Sequence, residues 1–196
     1  MGVRDNLVTT LAGNRGTGKT DFLKEQAMKT HLPKVLIVDT YDNSRWHTME
    51  THHHPEWSRI NIPIIPFNKL KYWNSGIYRI YSSDFDYMKS EISKYVRNTL
   101  LIFEDATKYF GSKLTNADKA ILYDTKQQNV DAIYVFHSLR KANPEIVDGS
   151  DLLTLFKTAD KPKRILSKYQ DESMVELYEH VQAQKSKYYN ATIFIN

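Results

Sequence analysis

The chain has 196 residues, 41% of them hydrophobic and 26% charged, with a net charge of +4 and no cysteine. That length suits one α/β domain with a buried core, and the composition is that of an ordinary soluble globular protein, not of a disordered chain. The absence of cysteine excludes disulfides, thiolate metal sites and cysteine nucleophiles. No apolar run reaches the length of a membrane span, and the first predicted strand follows Met1 too closely to expect a signal peptide. The mild positive excess is compatible with a polyanionic partner but does not demand one. The 13 tyrosines form no RNP-like pattern that would mark them as base-stacking residues.

In chain order, residues 7–12 are apolar and β-rich and predict a first strand. Lys19 to His31 predicts a helix, with Phe22, Leu23, Gln26, Ala27 and His31 at helical spacing and Pro33 closing it. Between them runs Gly13-Asn14-Arg15-Gly16-Thr17-Gly18-Lys19-Thr20, a complete G-x-x-x-x-G-K-[ST] phosphate loop. A strand delivers the loop and a helix N-terminus receives it, so backbone N–H groups converge on one anion, helped by the positive end of the helix dipole. Glycine lets the backbone approach phosphate oxygens with no Cβ in the way. In this pattern Lys19 reaches the β- and γ-phosphates and the Thr20 hydroxyl holds Mg²⁺. ATP and Mg²⁺ are therefore the expected cofactors.

Residues 34–39, Lys-Val-Leu-Ile-Val-Asp, form a β-branched run typical of a strand buried on both faces. Residues 41–76 are irregular, with Pro55, Pro63, Pro66 and three consecutive histidines, His52, His53 and His54. Loops this long in a compact domain are usually functional or interfacial. A strand is predicted at 77–81, a helix at 84–96, a buried strand at 99–103, a helix at 116–128 and a strand at 132–136. An edge strand is predicted at 152–157, one long helix at 164–184 and a closing strand at 191–195. The alternation predicts a mostly parallel sheet with helices on both faces. The expected organisation is a single domain over 1–196, with 41–76 as an irregular insertion and 158–196 as a C-terminal helix and closing strand.

Hydrolysis needs a carboxylate for Mg²⁺ and a group that orients the attacking water. The strand at 99–103 ends in Glu104 and Asp105, two acids at the edge where ligands bind in open α/β sheets. Asp39 also ends an apolar strand and is the competing metal carboxylate, an arrangement that would suit a small P-loop kinase. His137 and Ser138 end the next strand, where a polar residue can feel the γ-phosphate. Arg140 and Arg15 are candidates for the cation that stabilises transition-state charge, in cis or on a neighbouring subunit. His52, His53 and His54 alternate in direction and do not suit one tetrahedral ion. Lys157, Lys161, Lys163, Arg164 and Lys168 form a basic cluster that would contact phosphates on a nucleic-acid motor.

The phosphate loop, the 34–39 strand, the acidic strand end and the polar strand end at His137, in this order, resemble a HerA/FtsK-type P-loop ATPase. Within that group the chain is similar to compact viral genome-packaging ATPases and to the ATPase domain of Zot-like phage proteins. The resemblance covers roughly residues 7–157. It implies a three-layer P-loop NTPase sandwich of the additional-strand (RecA/FtsK-like) type, with another strand between the acidic strand and the phosphate-loop strand. It further implies an ATP-driven motor on double-stranded DNA, commonly a hexameric ring, with a capsid or portal component as docking partner. Such a protein would work in the host cytoplasm if viral, or with the virion. Carried over by position, Gly13 to Thr20 hold the nucleotide, Lys19 and Thr20 are the Walker A pair, and Glu104 and Asp105 are the Walker B pair. His137 takes the sensor position and Arg140 is a candidate finger. The order Glu104 then Asp105 reverses the usual Asp-Glu, which leaves the division of labour between them open. The transmembrane segment of Zot-like proteins is missing, which favours a packaging motor. A small P-loop kinase and a slow nucleotide-gated switch or scaffold are the alternatives.

Overall fold

The computed structural model describes residues 6–195, apart from the side chains of residues 125 and 126. Its strands are β1 (Val8–Ala12), β2 (Lys34–Val38), β3 (Gly76–Ile80), β4 (Thr99–Phe103), β5 (Val130–Phe136), β6 (Leu152–Phe156) and β7 (Asn190–Phe194). The helices are α1 (Lys19–Lys29), α2 (Phe85–Tyr95), α3 (Asn116–Tyr123), α4 (Pro144–Asp148), α5 (Pro162–Tyr169) and α6 (Glu172–Ala183). Among the described residues the strands form one sheet in the order β3-β2-β4-β5-β1-β6-β7. Every pairing is parallel except that of β6 with β7. β5 therefore separates the acidic strand β4 from the phosphate-loop strand β1, as the additional-strand arrangement requires.

The period of two along each strand divides the core into two layers. Leu36, Val38, Leu101, Phe103, Ala132, Tyr134 and Phe136 face α2, α3, α4, α5 and α6. Leu11, Val35, Ile37, Leu100, Ile102 and Val135 face the opposite way, toward Leu23 and Ala27 of α1. Trp46, Met49 and Ile62 complete that second layer, all at most 2% exposed. The irregular 41–76 segment thus helps α1 cover one face of the sheet. Residues 63–65 also pair along β3, with Arg79 N–H donating to the Pro63 carbonyl and Ile65 N–H to that of Arg79.

Three sequence expectations change. The strand at 152–157 is not an edge, because β6 lies between β1 and β7. The helix at 116–128 is α3 only to Tyr123, and 124–128 is a 3-10 turn. The single helix at 164–184 is two helices, broken where Gln170 turns left-handed with φ of 54° and Asp171 caps α6 through the N–H of Ser173. An Asp side chain at the first position offers the backbone an alternative to continuing the preceding helix. None of the described helices is long and apolar enough to cross a membrane.

Candidate nucleotide-binding site

The phosphate loop is fastened between β5 and β6. Gly13 N–H donates to the Phe136 carbonyl at 3.1 Å and Asn14 N–H to that of Lys157 at 2.8 Å. A Cβ on Gly13 would stand 2.5 Å from the Phe156 Cβ, so a glycine is needed for this close approach. Gly18, with φ of 90°, turns the chain into α1, and no side chain caps that helix. Its first-turn N–H groups are left available to an anion. The buried Lys19 Nζ donates to the carbonyls of Gly13 and Asn14 at 2.6 and 2.8 Å. Burial lowers its pKa, against the opposing pull of Glu104 and Asp105. Thr20 is half-buried at the next position.

β4 delivers the two acids to the same place. Glu104 N–H donates to the Val38 carbonyl at 3.1 Å, and its own carbonyl accepts from Thr40 Oγ1 at 3.1 Å. Tyr109 OH lies 3.1 Å from that same Thr40 hydroxyl, which fixes the strand end. Glu104 Oε2 is buried and has no hydrogen-bond partner among the described residues. Burial pushes its pKa up to about 7; Lys19 pulls the other way, while Asp39 and Asp105 add repulsion. Asp105 adopts a left-handed backbone with φ of 52°. Asp tolerates this conformation better than longer side chains because it can hydrogen-bond locally, and Asp105 Oδ1 accepts from Thr107 Oγ1. That preference gives a physical reason for the reversed Glu-Asp order. Asp105 Oδ2 lies 3.7 Å from His137 Nε2, joining the ends of β4 and β5. Burial lowers the His137 pKa, and Asp105 partly offsets this.

Asp39, near Glu104, is engaged by its own loop. Its carboxylate accepts from the N–H groups of Tyr41 and Asn43 and lies 3.8 Å from Arg79 Nη1. Arg79 also pairs with Asp42. Asn43 in turn caps the turn that carries Arg45, accepting from its N–H at 3.1 Å. The acid at the end of β2 therefore shapes a loop while its charge still reaches Glu104.

A cavity of about 730 Å³ continues from the glycines and Thr20 of the loop. Arg45, His52 and His53 form one side and Tyr188 and Asn190 another. The ring of Tyr188 comes within 3.3 Å of where a Gly18 Cβ would lie. Arg45, Tyr188 and Asn190 do not stand out by local pattern, coming from the 41–76 segment, the turn before β7 and the first residue of β7, and His52 and His53 stand out only as a run of histidines. The local hints are the length of the irregular segment and its histidine run. His54 is separate from its neighbours: it stacks on Trp57 at 3.9 Å and contacts Glu56 at 3.0 Å.

Arg15 and Arg140 are both exposed. Arg15 is on the loop itself, and its charge reaches Lys19 and His137. Arg140 follows His137 in the chain and lines a cleft together with it and Asn14. The basic cluster is divided: Lys157 Nζ donates to the Gln184 carbonyl and Lys168 Nζ to those of Arg140 and Ala142. Lys161 and Arg164 remain exposed.

No protein-family model matches the chain, and no curated protein does. Solved structures do. The genome-packaging NTPase B204 of Sulfolobus turreted icosahedral virus 2, in complex with ATP-γS, is 19% identical. It superposes with a TM-score of 0.69 over 97% of this chain and 93% of its own. B204 of Sulfolobus turreted icosahedral virus, a DNA-packaging ATPase, gives 0.68 at 18% identity over 98% and 95%. The N-terminal domain of zonular occludens toxin from Neisseria meningitidis matches at 9% identity and a TM-score of 0.48, over 80% of this chain and 79% of its own. The chain has the P-loop NTPase fold, and its expected likeness to compact viral packaging ATPases holds at the level of that fold.

Proposed function

We propose that the protein is an ATPase that uses hydrolysis to move double-stranded DNA, as a single-domain subunit of a ring. The observation that carries this reading is the convergence of the uncapped α1 N-terminus and Lys19 with Glu104, Asp105 and His137 from two other strand ends. The B204 structures in complex with ATP-γS and AMPPCP support nucleotide as the ligand.

In this reading residues 13–20 cradle the polyphosphate and Lys19 exchanges the loop carbonyls for β- and γ-phosphate oxygens. Mg²⁺ takes oxygen ligands and keeps several waters. The residues present fit it: Thr20 offers a hydroxyl, and Glu104 offers a buried carboxylate oxygen with no protein partner. When bound, the ion supplies charge neutralisation across the phosphates. Asp105, held by Thr107 and facing His137, orients the attacking water and takes its proton, while His137 senses the γ-phosphate through Asp105. Arg15 and Arg140 supply cations for the developing charge, in cis or from a neighbouring copy. The likeness to packaging ATPases favours DNA as the track, a capsid or portal component as the dock, and the host cytoplasm or virion as the location. It favours a motor over a kinase or a slow switch.

Steady-state ATP hydrolysis with and without duplex DNA, at low and moderate salt, tests this. Several-fold stimulation that fades with salt is the expected result. Turnover indifferent to DNA at every salt concentration contradicts the motor.

A further inference from the structure

Beside the nucleotide site lies a second cleft, of about 270 Å³, between the ends of β5 and β6. It shares Asn14 and His137 with the phosphate loop and the acidic pair. Its other walls carry Ser138, Arg140, Lys141, Lys161 and Arg164. Four permanent cations from two elements thus line one small concavity, and no ion pair holds any of them among the described residues. The one acid in the wall, Asp160, offsets part of this charge and has its oxygens turned to neutral donors. It accepts from Leu139 N–H at 2.8 Å, Thr158 Oγ1 at 2.5 Å and Arg140 N–H at 3.4 Å.

The backbone beneath these cations is held by hydrogen bonds. Lys168 Nζ and Tyr169 OH donate to the carbonyls of residues 139, 140 and 142, which pins the turn bearing Arg140 and Lys141. Tyr178 OH holds the Asp160 carbonyl at 2.7 Å. Helix α5 begins at this wall with Lys161 as its N-cap residue and no side chain capping it. Ser138 Oγ is buried and without a partner among the described residues. Like charges gathered on a fixed frame repel one another unless an anion neutralises them. Cations converging from two neighbouring elements match a phosphate oxyanion.

We propose that this cleft is a second phosphate site, distinct from the phosphate loop. Its ligand chemistry is a phosphate oxyanion held by Lys141, Lys161 and Arg164, with Arg140 at the rim. Two sources of that chemistry adjoin the cleft: a backbone phosphate of nucleic acid, and inorganic phosphate leaving the nucleotide site past Asn14 and His137. The nucleic-acid source rests on the motor reading; the cleft's affinity for phosphate does not.

The test uses the full chain with Lys19→Ala, which silences the phosphate loop, with and without Lys161→Ala and Arg164→Ala. Both added positions are exposed, and thermal unfolding checks that the fold persists. Inorganic phosphate is titrated by calorimetry and a labelled DNA duplex by anisotropy over a range of salt. At least one probe should bind the Lys19→Ala protein, and the two added substitutions should weaken it about tenfold or more. For the duplex, the slope of log affinity against log salt should become shallower by about two, one for each backbone phosphate left without its cation. Binding of inorganic phosphate identifies the free ion as a ligand; binding of the duplex alone identifies the backbone phosphate. Binding of neither probe, or affinities unmoved by the two substitutions, overturns the proposal. Nucleotide binding by the unaltered chain, measured alongside, separates failure of the ATPase reading from failure of this one.

Discussion

Glu104 gives the sharpest physical prediction, because its carboxyl is buried beside two other acids and the pull of Lys19 and, more weakly, Arg45 does not offset that burial. Its pKa stands at about 7 in the folded chain against an ordinary 4.5. An acid raised in this way leaves folding undisturbed below the unfolded value, where both states are protonated. Its cost then grows as pH rises, because the unfolded chain ionises freely and the folded one resists. At about 1.4 kcal/mol per pH unit, the rise from 4.5 to about 7 amounts to about 3 kcal/mol. Glu104→Gln removes this titration. The stability of the variant minus that of the parent should therefore increase by about 3 kcal/mol between about pH 4 and about pH 8. Any fixed packing difference between the two side chains cancels in that comparison. Urea unfolding at the two pH values measures it, with the slope m checked for constancy. A gap that stays flat, or that moves toward the parent as pH rises, would refute the burial argument. Saturating Mg·ATP should shrink the gap, since a cation held at Glu104 favours its ionised form.

Three further predictions concern the frame of the site. Tyr188→Ala should weaken ATP binding about tenfold, in line with about 1–3 kcal/mol for base–aromatic stacking, while leaving inorganic tripolyphosphate unaffected. Equal losses for both ligands would place the base elsewhere. Gly13→Ala should destabilise the fold by about 1–3 kcal/mol, because its Cβ must push Phe156 away, and should lower ATP affinity; unchanged denaturation and binding would contradict the close approach of β1 to β6. Lys89→Ala should cost about 3–5 kcal/mol, since Lys89 and Asp118, 4% and 1% exposed, pair at 2.6 Å between α2 and α3. Lys89→Met should lose no less, as it also strands the Asp118 charge, whereas joint replacement of Lys89 by Met and Asp118 by Asn, which leaves no stranded charge and keeps an acceptor for the Thr115 N–H, should recover part of the loss; urea unfolding reads all three.

Strands were legible wherever four or more apolar residues, many of them β-branched or aromatic, ran together, as in β2, β4 and β5, because burial on both faces leaves little room for polar residues. The phosphate loop was legible for a different reason. Its glycines recur at a fixed short spacing set by the loop's backbone, such as the left-handed turn at Gly18, although the close approach at Gly13 is to Phe156 on β6. Sheet order was not legible from periodicity, which reports a strand's faces and is silent about its neighbours, so β6 read as an edge. The break at Gln170 was hidden because the left-handed residue is not glycine; the readable sign was Asp171 two residues before Ser173. Arg45, His52, His53 and Tyr188 join the cavity only through contacts across the fold. The role of 41–76 as part of a core layer depends on Trp46, Met49 and Ile62 reaching α1 and the sheet. No spacing within the segment announces that.

The most direct test of the proposed chemistry compares Asp105→Asn with the unaltered chain, measuring ATP binding and steady-state hydrolysis on the same samples. If Asp105 orients and deprotonates the water, the variant keeps its ATP affinity and loses about 100-fold or more of its turnover. If turnover survives and Glu104→Gln alone abolishes it, the roles of the two acids are the reverse of those assigned. If neither the parent nor the variant binds ATP, the phosphate loop is not a nucleotide site.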